Sequence, residues 1–94
     1  MAAPGDSQWS VSPATNEIDA NYLDMSHLPP GAVAYNVGAR LQGSGGAYTT
    51  SGPNDLHASA AIAPLDSGTY AVVCAFLDVH GNQGYWSVAK IVTI

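Results

Sequence analysis

Apolar and polar positions alternate along most of this chain, and where the alternation fails, Pro, Gly, Asn and Asp cluster. The clearest stretch runs from Val33 to Leu41: Val33, Tyr35, Val37, Ala39 and Leu41 fall on one side, and Ala34, Asn36, Gly38 and Arg40 on the other. A period of two is the signature of a strand with one face buried. Tyr70, Val72, Cys74 and Phe76 alternate with Ala71, Val73, Ala75 and Leu77. Both sets are apolar, which predicts a central strand covered on both faces. His80-Gly81-Asn82-Gln83-Gly84 then reverses the chain, and Tyr85 to Ile94 forms a second β-branched and aromatic run, so the C-terminal third reads as a hairpin.

The remaining segments follow the same logic. Gln8 to Ser12 alternates until Pro13, which predicts a short edge strand stopped by the proline. Ile18, Ala20 and Tyr22 share one face while Leu23 and Met25 share the other; a bulge or a late strand start reconciles them. His27-Leu28-Pro29-Pro30-Gly31 is a reversal, because two prolines remove two ladder donors. Gly43 to Gly46 is a flexible connection, Ala47 to Thr50 admits a short strand, and Ser51-Gly52-Pro53-Asn54-Asp55 reads as a turn. Leu56, Ala58, Ala60 and Ile62 alternate with His57, Ser59 and Ala61. An alanine-rich helix is the rival for that stretch, since alanine favours helix strongly; its place between two turns favours a strand. The sum is an all-β, seven-stranded antiparallel two-sheet sandwich. One domain spans residues 1-94, with 1-6 a loose lead-in and Tyr35, Val37, Leu41, Leu56, Ile62, Tyr70, Val72 and Cys74 facing the core.

With 94 residues there is room for one core and no second domain. A hydrophobic share of 47% against 10% charged residues is the reverse of a disordered composition. The net charge of -5, with Arg40 and Lys90 the only fixed cations, opposes nucleic-acid binding and binding to anionic membranes, both of which need clustered Lys and Arg. No apolar run approaches the roughly 20 residues that span a bilayer. The start, Met1-Ala2-Ala3-Pro4-Gly5-Asp6, lacks the basic and apolar regions of an export signal. Cys74 is the single cysteine, so neither an internal disulfide nor a cysteine metal cluster can form.

Asp66-Ser67-Gly68-Thr69-Tyr70, with Val72 and Cys74 beyond it, resembles the tyrosine corner that opens strand F in fibronectin type III and immunoglobulin-like domains. Tyr70-x-Val72-x-Cys74 followed by Gly84-x-Trp86-Ser87 is similar to the F and G strands of fibronectin type III, and Pro29-Pro30-Gly31 before Tyr35-x-Val37 is similar to its B–C loop and C strand. The resemblance implies a sandwich in which the Tyr70 hydroxyl bonds back to the turn's backbone. It also places Met25 where the family carries a strand-B tryptophan, a volume methionine can fill. Leu65 stands one residue closer to Tyr70 than the family's turn leucine, and Cys74 has no partner for the immunoglobulin disulfide.

Candidate chemistry is sparse. His27, His57 and His80 fall in separate segments without metal-ligand spacing, and Asp78-x-His80-x-Asn82 carries only part of a calcium-loop pattern and reads as a polar hairpin tip. Cys74 shares parity with Tyr70 and Val72, which points it into the core as an inert thiol. No pair of carboxylates stands in a setting suited to acid–base work. No catalytic residue, cofactor or metal is therefore expected. Two features suit binding. Trp86 shares parity with Lys90, and a lysine seldom points into a core, which puts Trp86 outside as a contact anchor unless a local bulge turns it inward. The loop tips at 26–31 and 80–84, carrying His27, His80 and Asn82, fall at one end of such a sandwich, where recognition is often sited. The expectation is a non-enzymatic structural or binding domain that docks on a protein partner. Small domains resembling this one occur on phage heads and tails, so the resemblance implies a virion accessory protein bound to a capsid or tail protein. The alternative is a spacer or adhesion module of a secreted or cell-surface multidomain protein.

Overall fold

The computed structural model describes Met1 to Ile94 throughout. Seven strands form, namely β1 (Trp9–Ala14), β2 (Glu17–Tyr22), β3 (Ala34–Leu41), β4 (Thr49–Asp55), β5 (Ser59–Ile62), β6 (Thr69–Leu77) and β7 (Lys90–Thr93). A short 3-10 turn at Asp6–Gln8 precedes them. They pair antiparallel into two sheets, β1-β2-β5 and β4-β3-β6-β7. The architecture is the all-β sandwich that the alternation predicts. In 56–62 the strand expectation holds only for Ser59–Ile62, where Ala60 and Ile62 enter the core while Ser59 and Ala61 point outward opposite β2. Leu56 to Ala58 form a turn, closed by the Ala58 N–H donating to the Asp55 carbonyl, and no helix forms.

The core lies between the sheets. Trp9, Ile18, Ala20, Tyr22, Tyr35, Val37, Leu56, Ile62, Tyr70, Val72, Cys74, Phe76 and Val92 are buried in one cluster, and Tyr22 meets Phe76 edge-on at 5.3 Å between ring centroids. The Tyr35 hydroxyl inside it is paired, as burial favours, donating to the Ala58 carbonyl at 2.5 Å, whereas the buried Trp9 indole N–H finds no partner. The tyrosine corner closes, since the Tyr70 hydroxyl donates to the Asp66 carbonyl at 2.8 Å. Tyr70→Phe is expected to cost about 0.5–1.5 kcal/mol, the net worth of an ordinary hydrogen bond. Chemical denaturation of the two proteins measures it, and an unchanged midpoint would mean the hydroxyl contributes nothing beyond solvation.

Several expectations are corrected. Pro13 does not stop β1; it pairs opposite Ile18, and β1 is an edge strand, where a missing N–H costs no ladder bond. Ser51 to Asp55 is not a turn but the body of β4, the opposite edge, which accommodates a cis Gly52–Pro53 peptide and a bulge against Tyr35 and Val37. Gly52 is required there: its φ is +145° and a Cβ would collide with Asn36 Oδ1. Leu41 is 52% exposed rather than in the core, because β3 ends there and the sandwich opens. Met25 fills no core volume. β2 ends at Tyr22, so Leu23 and Met25 lie in the loop, and the core indole comes from Trp9 on β1. Residues 1–6 are not loose: Met1 packs on the core and Pro4 is buried.

Candidate functional site

The run from Tyr85 does not continue as a strand; β7 begins only at Lys90. Between Gln83 and Ala89 the chain follows β6 irregularly, held by the Gly84 N–H donating to the Phe76 carbonyl and the Ser87 N–H to the Cys74 carbonyl. The Ser87 Oγ accepts from the Cys74 N–H at 2.9 Å, so a side chain completes the ladder where backbone geometry fails. Strand parity therefore cannot be carried from Lys90 back to Trp86. Lys90 in fact shares its side with the core residue Val92 and leans over the sandwich edge. Its Nζ donates to the Asp6 and Trp9 carbonyls at 2.6 and 2.9 Å and sits 4.9 Å from the Trp9 ring centroid.

Trp86 nevertheless lies on the outer face of β4-β3-β6-β7. It packs against Tyr48, centroids 5.5 Å apart, above Gly38. A Cβ on Gly38 would stand 2.9 Å from Tyr48 Cβ and 3.2 Å from Trp86 Cη2, so glycine is what lets the two rings lie down on the sheet. Beside Gly38, Val73 is 2% exposed although it points away from the main core. The Arg40 guanidinium lies over the Tyr48 ring at 4.4 Å from its centroid. The half-exposed Ile91 continues the apolar surface on β7, and Tyr85 and Val88 project from the irregular segment. The Asn36 amide donates to Gln83 Oε1 at 3.0 Å along the rim.

His27, His80 and Asn82 do come to one end. Ala34 pairs with Leu77 and the Val33 N–H donates to the Leu77 carbonyl, which brings loop 23–33 beside the 78–82 turn. Asp55 lies opposite Ala34, so His57 is at this end too. Trp86 belongs to the sheet face and is not gathered with them. Each histidine has an aspartate in its own loop: His27 Nδ1 lies 2.9 Å from Asp24, His57 Nδ1 3.4 Å from Asp55, and the His80 N–H donates to Asp78 Oδ1 at 2.9 Å. Ser26 Oγ and Asp24 both address the same His27 nitrogen, so this trio cannot relay a proton through the ring as a nucleophilic triad must. Asp78 also accepts from the Asn82 N–H and side-chain amide, which makes it the organiser of the hairpin tip. The Asn82 N–H first of all holds the Asp78 carboxyl below the usual carboxylate range, and His27 does the same for Asp24. Such carboxylates are poor proton carriers at neutral pH.

Burial pushes the Cys74 thiol up to about 12, so at neutral pH it is protonated as well as inaccessible. The folded protein is expected to resist alkylation by iodoacetamide and to take up one equivalent once denatured. Alkylation of the folded protein at the rate of a free thiol would contradict the burial of β6.

At the opposite end a cleft of about 460 Å³ opens between the end of β3, the 42–48 loop and the tyrosine corner. No local sequence pattern marks it, because its lining comes from segments that only the fold brings together. Compared with known proteins, the chain matches no family model and no curated sequence. What defines it is its class, a three-plus-four-stranded antiparallel β-sandwich with an aromatic outer face.

Proposed function

We propose that this chain is a non-enzymatic docking domain of the fibronectin type III kind, carried on a phage particle as a capsid decoration or tail-associated protein. In constant-type immunoglobulin domains the fourth strand joins the first sheet, whereas here β4 lies beside β3 in the other, and this favours the fibronectin side of the resemblance. The observation that carries docking is the outer face of β4-β3-β6-β7: Trp86 and Tyr48 laid over Gly38, with Ile91 uncovered beside them. Rigid aromatics with a neighbouring arginine are the groups that concentrate binding energy at protein interfaces. With only two cations in the chain, attachment rests on apolar and aromatic contact and is weakly sensitive to salt.

The test is location. Purified particles should carry the protein in stoichiometric copies, and Trp86→Ala should release it without unfolding the sandwich. Absence from every virion fraction would overturn the reading and leave the adhesion module of a longer chain in its place.

A further inference from the structure

Of the two fixed cations, Arg40 is the one without a carboxylate partner; Lys90 is paired with Asp6 at 3.5 Å and bonded to two carbonyls. The Arg40 guanidinium donates through Nη1 to the Gly46 carbonyl at 2.9 Å and is braced on Tyr48, which leaves most of its five N–H groups unused inside the protein. This arginine borders the cleft of about 460 Å³, within the range of small-ligand sites. Ala39, Leu41, Ala47 and Leu65 give the cleft its apolar lining, and Leu41 is half exposed there. Asp66 lies on the same cleft and forms no salt bridge with Arg40. Its backbone is fixed, because its carbonyl receives the Tyr70 hydroxyl. Two opposite charges thus stand without a salt-bridge partner around a hollow of mixed lining, to which Asn16, Ser44 and Thr49 add polar groups, in a protein whose net charge of -5 otherwise repels anions.

We propose that this cleft binds the carboxylate end of an apolar α-amino acid unit, with the carboxylate on Arg40, the α-nitrogen toward Asp66 and the side chain over Leu41, Ala47 and Leu65. A planar guanidinium takes a carboxylate through two parallel hydrogen bonds, which a neutral amide cannot reproduce. The same unit occurs as a free amino acid and as the last residue of a peptide. Those sources differ in whether the nitrogen facing Asp66 is a charged ammonium or an amide N–H. The site stands whether or not the sheet face docks on a particle.

Leucine, N-acetylleucine and N-acetylleucinamide, titrated into the isotopically labelled protein and followed by NMR, test this directly. At least one of the two acids should shift the amides of Ala39, Ala47 and Leu65, with the amide ligand at least about tenfold weaker. Tighter leucine assigns the free amino acid, and tighter N-acetylleucine the peptide terminus. Arg40→Gln should abolish the response, while Arg40→Lys, which keeps the charge but loses the fork, should retain a weakened one. Equal binding of acid and amide, shifts confined to other surfaces, or no saturable shift with either acid would each overturn the proposal. The ligand comparison uses the unaltered protein, so it stands even if an Arg40 variant folds poorly.

Discussion

Trp9→Ala is expected to cost about 3–5 kcal/mol, the range for truncating a fully buried aromatic. The indole is 2% exposed on an edge strand, and it is the largest side chain that β1 contributes between the sheets. Its loss would also uncover the Lys90 ammonium, which rests over the ring and is bonded to Trp9's own carbonyl. For a domain at the low end of ordinary stability, about 5 kcal/mol, that is enough to populate the unfolded state measurably at room temperature. Trp9→Phe should cost clearly less, because it keeps a ring and discards an indole N–H that has no partner in the core. Urea titrations of the three proteins decide the matter. A midpoint for Trp9→Ala within error of the parent would mean that β1 docks without its indole.

Ser87→Ala is the second large effect, at about 1–3 kcal/mol, the penalty for stranding a buried backbone donor. Cys74 is fully buried on the central strand, and its N–H is received by Ser87 Oγ in place of a neighbouring carbonyl. Alanine keeps the Ser87 N–H to Cys74 carbonyl bond but offers the Cys74 N–H nothing. Threonine retains the oxygen and should restore most of the loss. Stability of both variants by denaturant melts checks this, and an unchanged Ser87→Ala midpoint would show that water reaches the Cys74 amide.

Those two residues also mark where sequence reasoning stopped. The alternation from Tyr35 to Ala39 and from Tyr70 to Leu77 is legible because β3 and β6 are central strands whose neighbours hold them to an ideal pleat, whereas Val33 lies before β3 and is half exposed. The corner was legible because Asp66, Gly68 and Tyr70 make a local turn with a short-range bond. Edge strands hide their state. β4 has only one pairing partner and tolerates Gly52 and Pro53, residues that read as a turn when nothing else is known. Trp86 lies on the outer face, one of the two placements its parity with Lys90 leaves open, but the irregular 83–89 segment does not preserve that parity. What pins that segment is a serine hydroxyl, a tertiary contact with no periodic trace. The cleft left no trace either, since Asn16, Arg40, Ala47 and Asp66 are distant in sequence and meet only when both sheets have closed.

β6 is covered on both faces and paired along both edges, by β3 on one side and by β7 and the 83–87 segment on the other. Opening is therefore graded. The β1–β2 hairpin can detach locally, but no amide in the middle of β6 can meet solvent until both sheets have come apart. Deuterium should enter Val73 to Phe76 only at the rate set by global unfolding, so that one strand's exchange reports the stability of the whole domain.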